Sequence, residues 1–485
     1  MILKFAYITV TSSLLLFLAA CSSADDFDFT QNQNLLKVDV KSVPNTDFKV
    51  NEQLLHKFLS IKKEKAEKIT PIINDDDTLA YIIDYEKGWK LISGDQRLSP
   101  ILTQSDNGTF DISDSNCPET ASILGQINYI KEIRRSEQKE KSPIWEFLSE
   151  KNKRNSKANK IKKRGYGMGM WIPKDTTYDT QTNTYPHIIT TSWHQEYPYN
   201  QFTPLRYNED RGIWMHTPVG CVPVAVGQVI YHYRKDCNRD ISIPIAATEP
   251  TESNTNEFTI IESSTDGWNY LTNSYYVAMF LRNLGQQMDT QYAFGGSGTF
   301  VSKMWVMRQL YLLDFDTKEK YDYNTLISYL QKRQPIIISG SSSSGGHRFI
   351  IDGYKEIINT LSIRYEWDEN HIITEEELNR LPQSLFEQGA SGETERIEEI
   401  TSDKNTYITM NWGWRTDNSN WYLAHEYSSG YAGSDFAGDF NHPQRDYAHP
   451  PYWTISGDTY NRVAFMFYNF REYYPTNNEG SEFVP

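Results

Sequence analysis

The chain has 485 residues, of which 38% are apolar and 14% aromatic, so it can bury a large core and divide into two or three domains. Its formal net charge is −15, which argues against a general electrostatic role in binding nucleic acid or anionic lipid. The composition argues equally against a disordered chain and an integral-membrane bundle, and the aromatic content favours a β-rich protein with an aromatic-lined cleft.

The first residues have the pattern of a bacterial export signal. Lys4 precedes an apolar run, residues 5–20, which is typical of a secretory signal and shorter than the ~20 residues of a spanning helix. The run ends in L-A-A-C, which resembles the bacterial lipobox, so we expect residues 1–20 to be removed and Cys21 to receive a lipid anchor. Ordinary cleavage beside an incidental cysteine is the alternative. The expected location is the bacterial cell envelope, on the periplasmic or outer face of the outer membrane, or release after processing.

Residues 21–130 are expected to form a small, separately folded α+β unit. Apolar and polar residues alternate in short runs separated by turns, which predicts antiparallel strands over residues 79–85, 89–93 and 100–102. A helix is predicted before them, around Glu52 to Ile69.

A basic linker is predicted after this unit, over residues 131–165. Its residues 151–164 include eight basic side chains and no acid, so they cannot bury a core and are expected to contain a processing site; a plain charged spacer is the alternative. Residues 166–485 then form one larger α+β domain, helical in its first half and stranded in its second.

The four cysteines are too few for a disulfide scaffold and show no C-x-x-C spacing typical of zinc or redox sites. The sequence also lacks H-E-x-x-H, a Walker loop and G-x-G-x-x-G. It therefore implies no metal and no cofactor.

Cys221 begins a segment with the periodicity of a buried helix. Apolar residues at positions 222, 225, 226, 229, 230 and 233 form one stripe, and Pro223 falls in the first turn, where a missing N–H costs nothing. Cys221 lies at the helix N-terminus outside that stripe, where the helix dipole favours a thiolate, and Gly220 allows a sharp turn that leaves the sulfur accessible. A small buried cysteine is the competing interpretation.

Two polar residues at strand ends can complete a thiol-based site. His347 follows a Ser/Gly-rich loop and opens a predicted strand, although a solvated loop histidine would show the same pattern. Asn411 lies in an aromatic strand, where its amide needs partners and its oxygen can support a histidine; a turn cap before Gly413 is the alternative. With Cys221 they give a Cys-His-Asn arrangement, in which the imidazole activates the thiol.

The oxyanion of a tetrahedral intermediate also needs hydrogen-bond donors. The side-chain NH₂ of Gln195 can join the Cys221 backbone N–H in that role. Spacing along the sequence does not choose between Gln195 and Gln201.

Four motifs in chain order resemble the streptopain family of secreted bacterial cysteine peptidases, which have a papain-like fold. They are W-x-Q-x-x-P-Y-N at residues 193–200, G-C-V-x-x-A-x-x-Q-V-I-Y-H at 220–232, G-H-x-F-I-I-D-G-Y at 346–354 and N-W-G-W at 411–414. Residues 81–110 are similar to the inhibitory propeptide of that family.

The resemblance implies an α+β, two-lobed papain-like peptidase with a helical lobe and an antiparallel β lobe, preceded by a small α+β propeptide domain. It also implies a preference for a hydrophobic residue two positions before the scissile bond, and a propeptide that blocks the cleft. The roles it implies by position are Cys221 as nucleophile, His347 as general base and acid, Asn411 as the residue that orients the imidazole, Gln195 as oxyanion donor and Trp412 as an aromatic shield.

Further residues are assigned to the substrate cleft or depart from the family. Gly346, Ser297 and Gly298 are expected at the cleft, a plain turn at residues 295–298 being equally consistent. Arg348 stands where the family usually has a small residue, and Arg415 where it has a glycine, so both are expected to affect specificity. Residues 366–400 carry eleven acids against two arginines, which predicts a solvated excursion or, alternatively, a flap or exosite for cationic substrates.

The function predicted is a secreted, lipid-anchored cysteine endopeptidase, made as a zymogen, that hydrolyses protein substrates through an acyl-enzyme intermediate. One alternative is a surface binding or inhibitor protein that has lost the chemistry. Another is an acyl transferase that uses the same residues. The expected partners are protein or peptide substrates, the chain's own propeptide and a membrane, without nucleic acid.

Overall fold

A computed structural model describes residues 48–74, 77–110, 118–135, 140–149, 168–209, 211–236, 241–294, 296–318, 322–341, 346–374, 377, 381, 383–388, 392–413, 420–424, 453–455, 458–460 and 462–472. The helices are α1 (Glu52–Lys62), α2 (Pro118–Arg135), α3 (Pro143–Ser149), α4 (Cys221–Arg234), α5 (Ser274–Gln287), α6 (Trp305–Tyr311) and α7 (Tyr323–Gln331). None of them is both long enough and apolar enough to cross a membrane, as far as the described residues go.

The strands fall into an N-terminal group and a later group. The first is β1 (Lys68–Asn74), β2 (Asp77–Asp84), β3 (Trp89–Ser93) and β4 (Ile101–Ser105). The second is β5 (Met168–Tyr185), β6 (Leu205–Asn208), β7 (Ile213–His216), β8 (Ile243–Ala247), β9 (Ile260–Ser264), β10 (Leu313–Lys318), β11 (Ile336–Ser341), β12 (Gly346–Ile372), β13 (Glu395–Asn411), β14 (Trp421–Ala424), β15 (Trp453–Ile455), β16 (Asp458–Tyr460) and β17 (Arg462–Glu472).

Strands from both groups form one large antiparallel sheet. Its order is β1-β2-β3-β4-β14-β13-β12-β11-β17-β10, and β5 pairs with the far part of β12. The two groups meet where β4 pairs with β14, through Thr103 opposite Tyr422 and Gln104 opposite Trp421. The α+β class is confirmed. The N-terminal sheet is continuous with that of the larger domain, and its separate folding stays a prediction.

The N-terminal helix is shorter than predicted. α1 ends at Lys62 because Lys63 adopts the left-handed conformation at φ 55°, which terminates the helix, and Ile69 lies in β1. The alternating apolar residues of the segment Lys68–Asn74 pair with β2, so the periodicity there is that of a strand.

The N-terminal unit also extends beyond residue 130. The indole of Trp145 in α3 is fully buried and lies 5.2 Å from the ring of Phe58 in α1. Residues 143–149 therefore belong to this core and not to the predicted linker, because their apolar side chains are removed from water. The basic stretch at 151–164, the export signal and Cys21 lie outside the described residues.

One apolar cluster joins the N-terminal unit to the larger sheet. It combines side chains of α1, α3 and β2 to β4 with five residues of the later strands: Ile357, Leu361, Tyr407, Trp421 and Leu423. The hydroxyl of Tyr407 adds a hydrogen bond to the Ile101 carbonyl at 3.0 Å. Both the backbone ladder and this core therefore hold the two parts together.

α4 lies at the centre of the larger domain. Every residue from Cys221 to Ile230 is buried, more than the single stripe that the apolar periodicity predicted. The helix packs against α5 on one side and β12 on the other, and a helix that is apolar on all faces is typical of such a central position.

The two ends of the acidic segment at 366–400 belong to the sheet. β12 pairs with β13 from Ile350 opposite Asn411 to Glu366 opposite Glu395, and β5 flanks β12 on the other edge. Near the end of these strands Trp171, Tyr365 and Leu385 form a small core of their own. Most described side chains of this segment are exposed or half-buried, as a solvated excursion predicts, and Leu385 anchors the segment to the small core.

Candidate active site

Cys221 is the first residue of α4, and its thiol is not part of a disulfide. Gly220 before it has φ 99°, and a side chain there would come within 3.0 Å of the Ser297 carbonyl oxygen, so the turn into the helix requires glycine. The helix N-terminus is as predicted, and its dipole favours a thiolate. The cysteine is only 3% exposed, so the sulfur is less accessible than the sequence suggested.

The end of β13 runs along one face of α4 towards Cys221. Asn411, the last residue of the strand, bonds to Gln228, and two residues later a Cβ on Gly413 would lie 3.0 Å from Val224. Residues 221, 224 and 228 share one face of a helix with 3.6 residues per turn. The strand end therefore leads from the middle of α4 to its first turn, where the thiol lies.

His347 is held at this strand end by a backbone group. Its Nε2 lies 2.9 Å from the carbonyl oxygen of Trp412, and the side chain is 2% exposed. The prediction that the Asn411 side-chain oxygen supports the imidazole is therefore wrong in detail. The residue after Asn411 provides the acceptor, because the asparagine side chain is directed towards α4.

The Asn411 amide has four hydrogen bonds elsewhere. Its Nδ2 donates to the Thr191 carbonyl and to Gln228 Oε1, both at 3.0 Å. Its Oδ1 accepts from the Gly413 N–H at 3.2 Å and from Gln228 Nε2 at 3.4 Å. The bond to the Gly413 N–H is the turn cap that the sequence analysis gave as the alternative role of Asn411. It fixes the turn that contains the Trp412 carbonyl.

Gln195 lies between the strand end and the helix. Its backbone N–H donates to the Gly413 carbonyl at 3.2 Å, and its carbonyl accepts from Val219 at 2.9 Å. Its side-chain amide is fully buried, and neither the nitrogen nor the oxygen has a hydrogen-bond partner among the described residues. Gln201, by contrast, donates to the Pro198 carbonyl at 2.6 Å, so the structure favours Gln195 as the free donor.

We call the assembly of Gln195, Cys221, His347, Trp412 and Gly413 the junction. In it, the first turn of α4, the segment that contains Gln195 and the end of β13 meet. The chemistry available there is that of a thiol at a positive helix end, a buried imidazole whose Nε2 is held by a carbonyl, and an amide donor that lacks a partner in the described part of the chain.

Trp412 and Arg348 lie on opposite faces of the sheet. The Trp412 side chain is 1% exposed and packs 4.5 Å from the Phe349 ring and 6.4 Å from the imidazole of His347, a position consistent with an aromatic shield. Arg348 is buried beside Ser339 and over the ring of Phe467. Adjacent strand residues alternate in direction, so the Arg348 side chain points away from that of His347, and its effect on specificity stays a prediction. Arg415 lies outside the described residues.

The residues predicted for the substrate cleft have different positions. Ser297 is fully buried, and its hydroxyl donates to the Pro218 carbonyl at 2.6 Å, directly before the turn into α4. Gly298 is bridged to Gln291, and Gly346 is the first residue of β12, opposite Ser341. Ser297 thus supports the Cys221 turn and does not present its hydroxyl to a cleft.

Sequence reasoning missed two supporting groups. Gln228 is fully buried on α4, two turns after Cys221, and a glutamine within a predicted apolar helix face was the available signal. Asp352 accepts from His187 Nδ1 at 3.1 Å and from Thr409 at 2.9 Å, which ties the chain leading to Gln195 to β12. Within the described ranges there is no group of three His, Cys, Asp or Glu side chains placed to hold a metal.

Residues 193–422 match the sequence model of the peptidase C10 family. Streptopain of Streptococcus pyogenes is 22% identical over 308 residues, which cover 55% of this chain and 65% of streptopain. A thiol protease/hemagglutinin of Porphyromonas gingivalis is 24% identical over 195 residues, which cover 34% of this chain and 20% of that protein. The chain thus spans less than two thirds of the length of these relatives.

Two solved structures from Prevotella intermedia are also similar. A prointerpain A fragment aligns with a TM-score of 0.40 at 16% identity, over 84% of this chain and 99% of that chain. The active wild-type interpain A cysteine protease aligns with a TM-score of 0.33 at 16% identity, over 59% of this chain and 94% of that chain. Scores this low do not establish a shared arrangement. The match to the peptidase C10 sequence model contains all four motifs and the whole junction.

Proposed function

We propose that the protein is a cysteine endopeptidase, made as a latent precursor and attached to the bacterial envelope through a lipid on Cys21. The observation that carries the proposal is the junction: the elements that contain the buried Cys221, the buried His347 imidazole and the buried Gln195 amide contact one another, and that amide has no partner among the described residues. The match of residues 193–422 to the peptidase C10 sequence model supports the same chemistry.

In the proposed reaction His347 takes the thiol proton of Cys221, and the sulfur attacks the carbonyl carbon of the scissile peptide bond. The carbonyl π electrons move to oxygen, where Gln195 Nε2 and the Cys221 backbone N–H donate hydrogen bonds to the oxyanion. The C–N bond then breaks, and the imidazolium returns its proton to the leaving amine. Water, deprotonated by the same imidazole, hydrolyses the thioester and restores the thiol.

The N-terminal unit is proposed to keep the precursor latent. It shares a β-ladder and a core with the strands that lead to the junction, and Tyr407, which bonds to Ile101, lies four residues before Asn411. Removal of this unit changes the surroundings of β13 and, through that strand, those of the Trp412 carbonyl. A cut within the basic stretch at 151–164 would separate the two parts of the chain.

The test is casein hydrolysis by the lipid-free chain that begins at Ser22, before and after limited trypsin treatment. We expect activity to appear only after the cut, and Cys221→Ala to abolish it while leaving the circular dichroism spectrum unchanged. Cys237→Ala is the matched control and should remain active. Equal activity of cut and uncut protein would contradict latency, and activity in Cys221→Ala would refute the site assignment.

Two further measurements separate the alternatives. A binding protein without chemistry predicts no hydrolysis and a Cys221 that resists iodoacetamide at neutral pH. An acyl transferase predicts amine adducts in preference to hydrolysis when amines are added. Incorporation of labelled palmitate into the wild-type protein but not into Cys21→Ala tests the lipid anchor.

A further inference from the structure

We infer that Gln228 is a positioning residue that fixes the register of the three elements meeting at the junction. The inference rests on the proposed peptidase function and names a residue that acts through its neighbours, without contact with the reacting atoms. Gln228 lies on α4 seven residues after Cys221, about 10 Å along the helix.

The side-chain amide of Gln228 makes four hydrogen bonds. Its Oε1 accepts from the Thr191 hydroxyl at 2.9 Å, from the Trp193 backbone N–H at 3.1 Å and from Asn411 Nδ2 at 3.0 Å. Its Nε2 donates to Asn411 Oδ1 at 3.4 Å. The side chain is fully buried, so water cannot replace these partners without structural change.

Each partner belongs to an element with a catalytic group. Trp193 lies two residues before Gln195, so its N–H bond fixes the segment that contains the oxyanion donor. Asn411 directly precedes Trp412, whose carbonyl oxygen accepts from the imidazole of His347. Gln228 itself is on the helix that begins with the nucleophile. One amide therefore sets the distance between all three groups.

The coupling to the imidazole passes through the Asn411 amide. Asn411 Oδ1 holds the Gly413 N–H at 3.2 Å, and this turn directs the Trp412 carbonyl towards His347. If Gln228 is lost, Asn411 loses two of its four hydrogen bonds and is free to adopt another rotamer. The carbonyl then has no fixed direction, and the imidazole loses its orientation relative to the thiol.

The first test uses Gln228→Met, which has similar volume but no hydrogen-bonding group for the three donors. The full-length chain is cut with trypsin, active sites are counted by iodoacetamide incorporation measured by mass spectrometry, and kcat is expressed per titrated site on a fluorogenic peptide. We expect kcat to fall about 100-fold with little change in KM, since displacement of catalytic groups affects the transition state more than binding.

The matched control is Gln287→Met on the neighbouring helix α5. Gln287 accepts a hydrogen bond from the buried Tyr311 hydroxyl at 3.0 Å, so the same substitution removes a bond in the same core without contact with the junction. We expect it to lower stability but leave kcat per titrated site unchanged. A purely structural role for Gln228 would give the two variants the same profile, with fewer active sites and normal kcat.

A double variant tests the route through Asn411. Asn411→Ala alone should lower kcat less than Cys221→Ala does, and adding Gln228→Met should lower it little further, because both amides act through the same contacts. Additive losses in the double variant would contradict the proposed route.

If Gln228→Met does not fold, a second variant, Gln228→Glu, tests the same inference. The carboxylate retains an acceptor for Thr191, Trp193 and Asn411 Nδ2, but its second oxygen faces Asn411 Oδ1, where the amide had a donor. Protonation restores that donor, so the activity of the variant relative to wild type should rise as the pH falls.

Three outcomes decide the inference. A reduced kcat in Gln228→Met, or a pH-dependent activity ratio in Gln228→Glu, supports it. Wild-type kcat in the first variant, or a flat ratio in the second, overturns it and leaves the peptidase proposal intact. Absence of cysteine-dependent hydrolysis in the wild-type chain overturns both.

Discussion

The imidazole Nε2 of His347 lies 2.9 Å from the backbone carbonyl oxygen of Trp412. A backbone acceptor cannot be removed by changing a side chain, so its direction depends on the turn that contains it. That turn is held by the Asn411 side chain and by the left-handed conformation of Gly413 at φ 70°. The orientation of the imidazole is therefore controlled by a strand end and its contact with α4.

The first prediction concerns Gly413. Gly413→Ala places a methyl group 3.0 Å from Val224 in the first helical turn and forces a left-handed conformation on alanine. The left-handed conformation alone costs an alanine ~1–2 kcal/mol. We expect a larger loss of stability than this and a lower kcat, because the strand end must also move away from the helix. Urea unfolding and peptide hydrolysis measure the two effects.

Gly212→Ala is the matched control. Gly212 also has a positive φ, 65°, but an added methyl group would meet only the Tyr207 hydroxyl at 3.8 Å. This variant should lose only the stability that the left-handed conformation costs an alanine, and it should keep full activity. Equal kcat in the two variants would mean that the contact between Gly413 and Val224 does not control the site.

The second prediction is that Gln195 contributes to activity but does not stabilise the fold. Its buried amide has no hydrogen-bond partner in the described structure, so Gln195→Met removes an uncompensated polar group and should leave the free energy of unfolding unchanged or raise it. The same change removes an oxyanion donor and should lower kcat about 10²–10³-fold.

Gln201→Met provides the comparison, because Gln201 is a nearby glutamine whose amide already bonds to the Pro198 carbonyl. We expect it to retain kcat. If Gln195→Met kept wild-type kcat, or lost as much stability as a bonded glutamine would, the oxyanion assignment would fail.

The third prediction concerns the pH dependence of stability at the contact between α1 and β5. The Lys62 ammonium group lies 5.1 Å from the Tyr178 ring and 3.1 Å from a Glu64 carboxylate oxygen. Burial, with the charge of Lys90 as a smaller cause, lowers the pKa of Lys62 from its ordinary 10.5 to about 8, and Glu64 partly offsets this lowering.

The sign follows from proton binding. Between pH 8 and 10.5 the unfolded chain binds more protons at Lys62 than the folded chain, so this group makes the free energy of unfolding rise with pH across that window. Below the window the cost of burying the charge is fully present. Lys62→Met should therefore be more stable than wild type at neutral pH, and the difference should shrink towards pH 10.

Urea midpoints of wild type and variant at about pH 7.5 and about pH 9.5 measure this difference. Lys57→Met, on the exposed side of the same helix, should show no such trend. A difference between wild type and Lys62→Met that stays constant with pH would contradict the buried charge.

Sequence reasoning succeeded where the signal is local. The start of α4 at Cys221 followed from apolar periodicity and from Pro223 in the first turn, and both are present in the structure. The strands that contain His347 and Asn411 were likewise readable, one from an apolar run after a Ser/Gly-rich loop and the other from an aromatic run. The boundary errors at Ile69 and Trp145 arose where apolar residues in a short segment fit more than one element.

The arrangement of the site depends on contacts that are distant in sequence. The bond between His347 and Trp412 joins residues 65 positions apart, and that between Gln228 and Asn411 joins residues 183 apart. Their residue types were visible, but the choice between a side-chain amide and a neighbouring carbonyl as acceptor depends on which way the strand end turns. No local pattern records that direction.

By itself the sequence determined the class of fold, the helix that begins with Cys221 and the family motifs, because periodicity and residue type at a helix end are local properties of the chain. The tertiary structure alone decided that a backbone carbonyl orients His347, that Arg348 is buried on the other face, and that the N-terminal strands continue the larger sheet. These outcomes depend on how strands pair and on which face packs against α4, and packing joins residues whose separation along the chain carries no information about their distance in space.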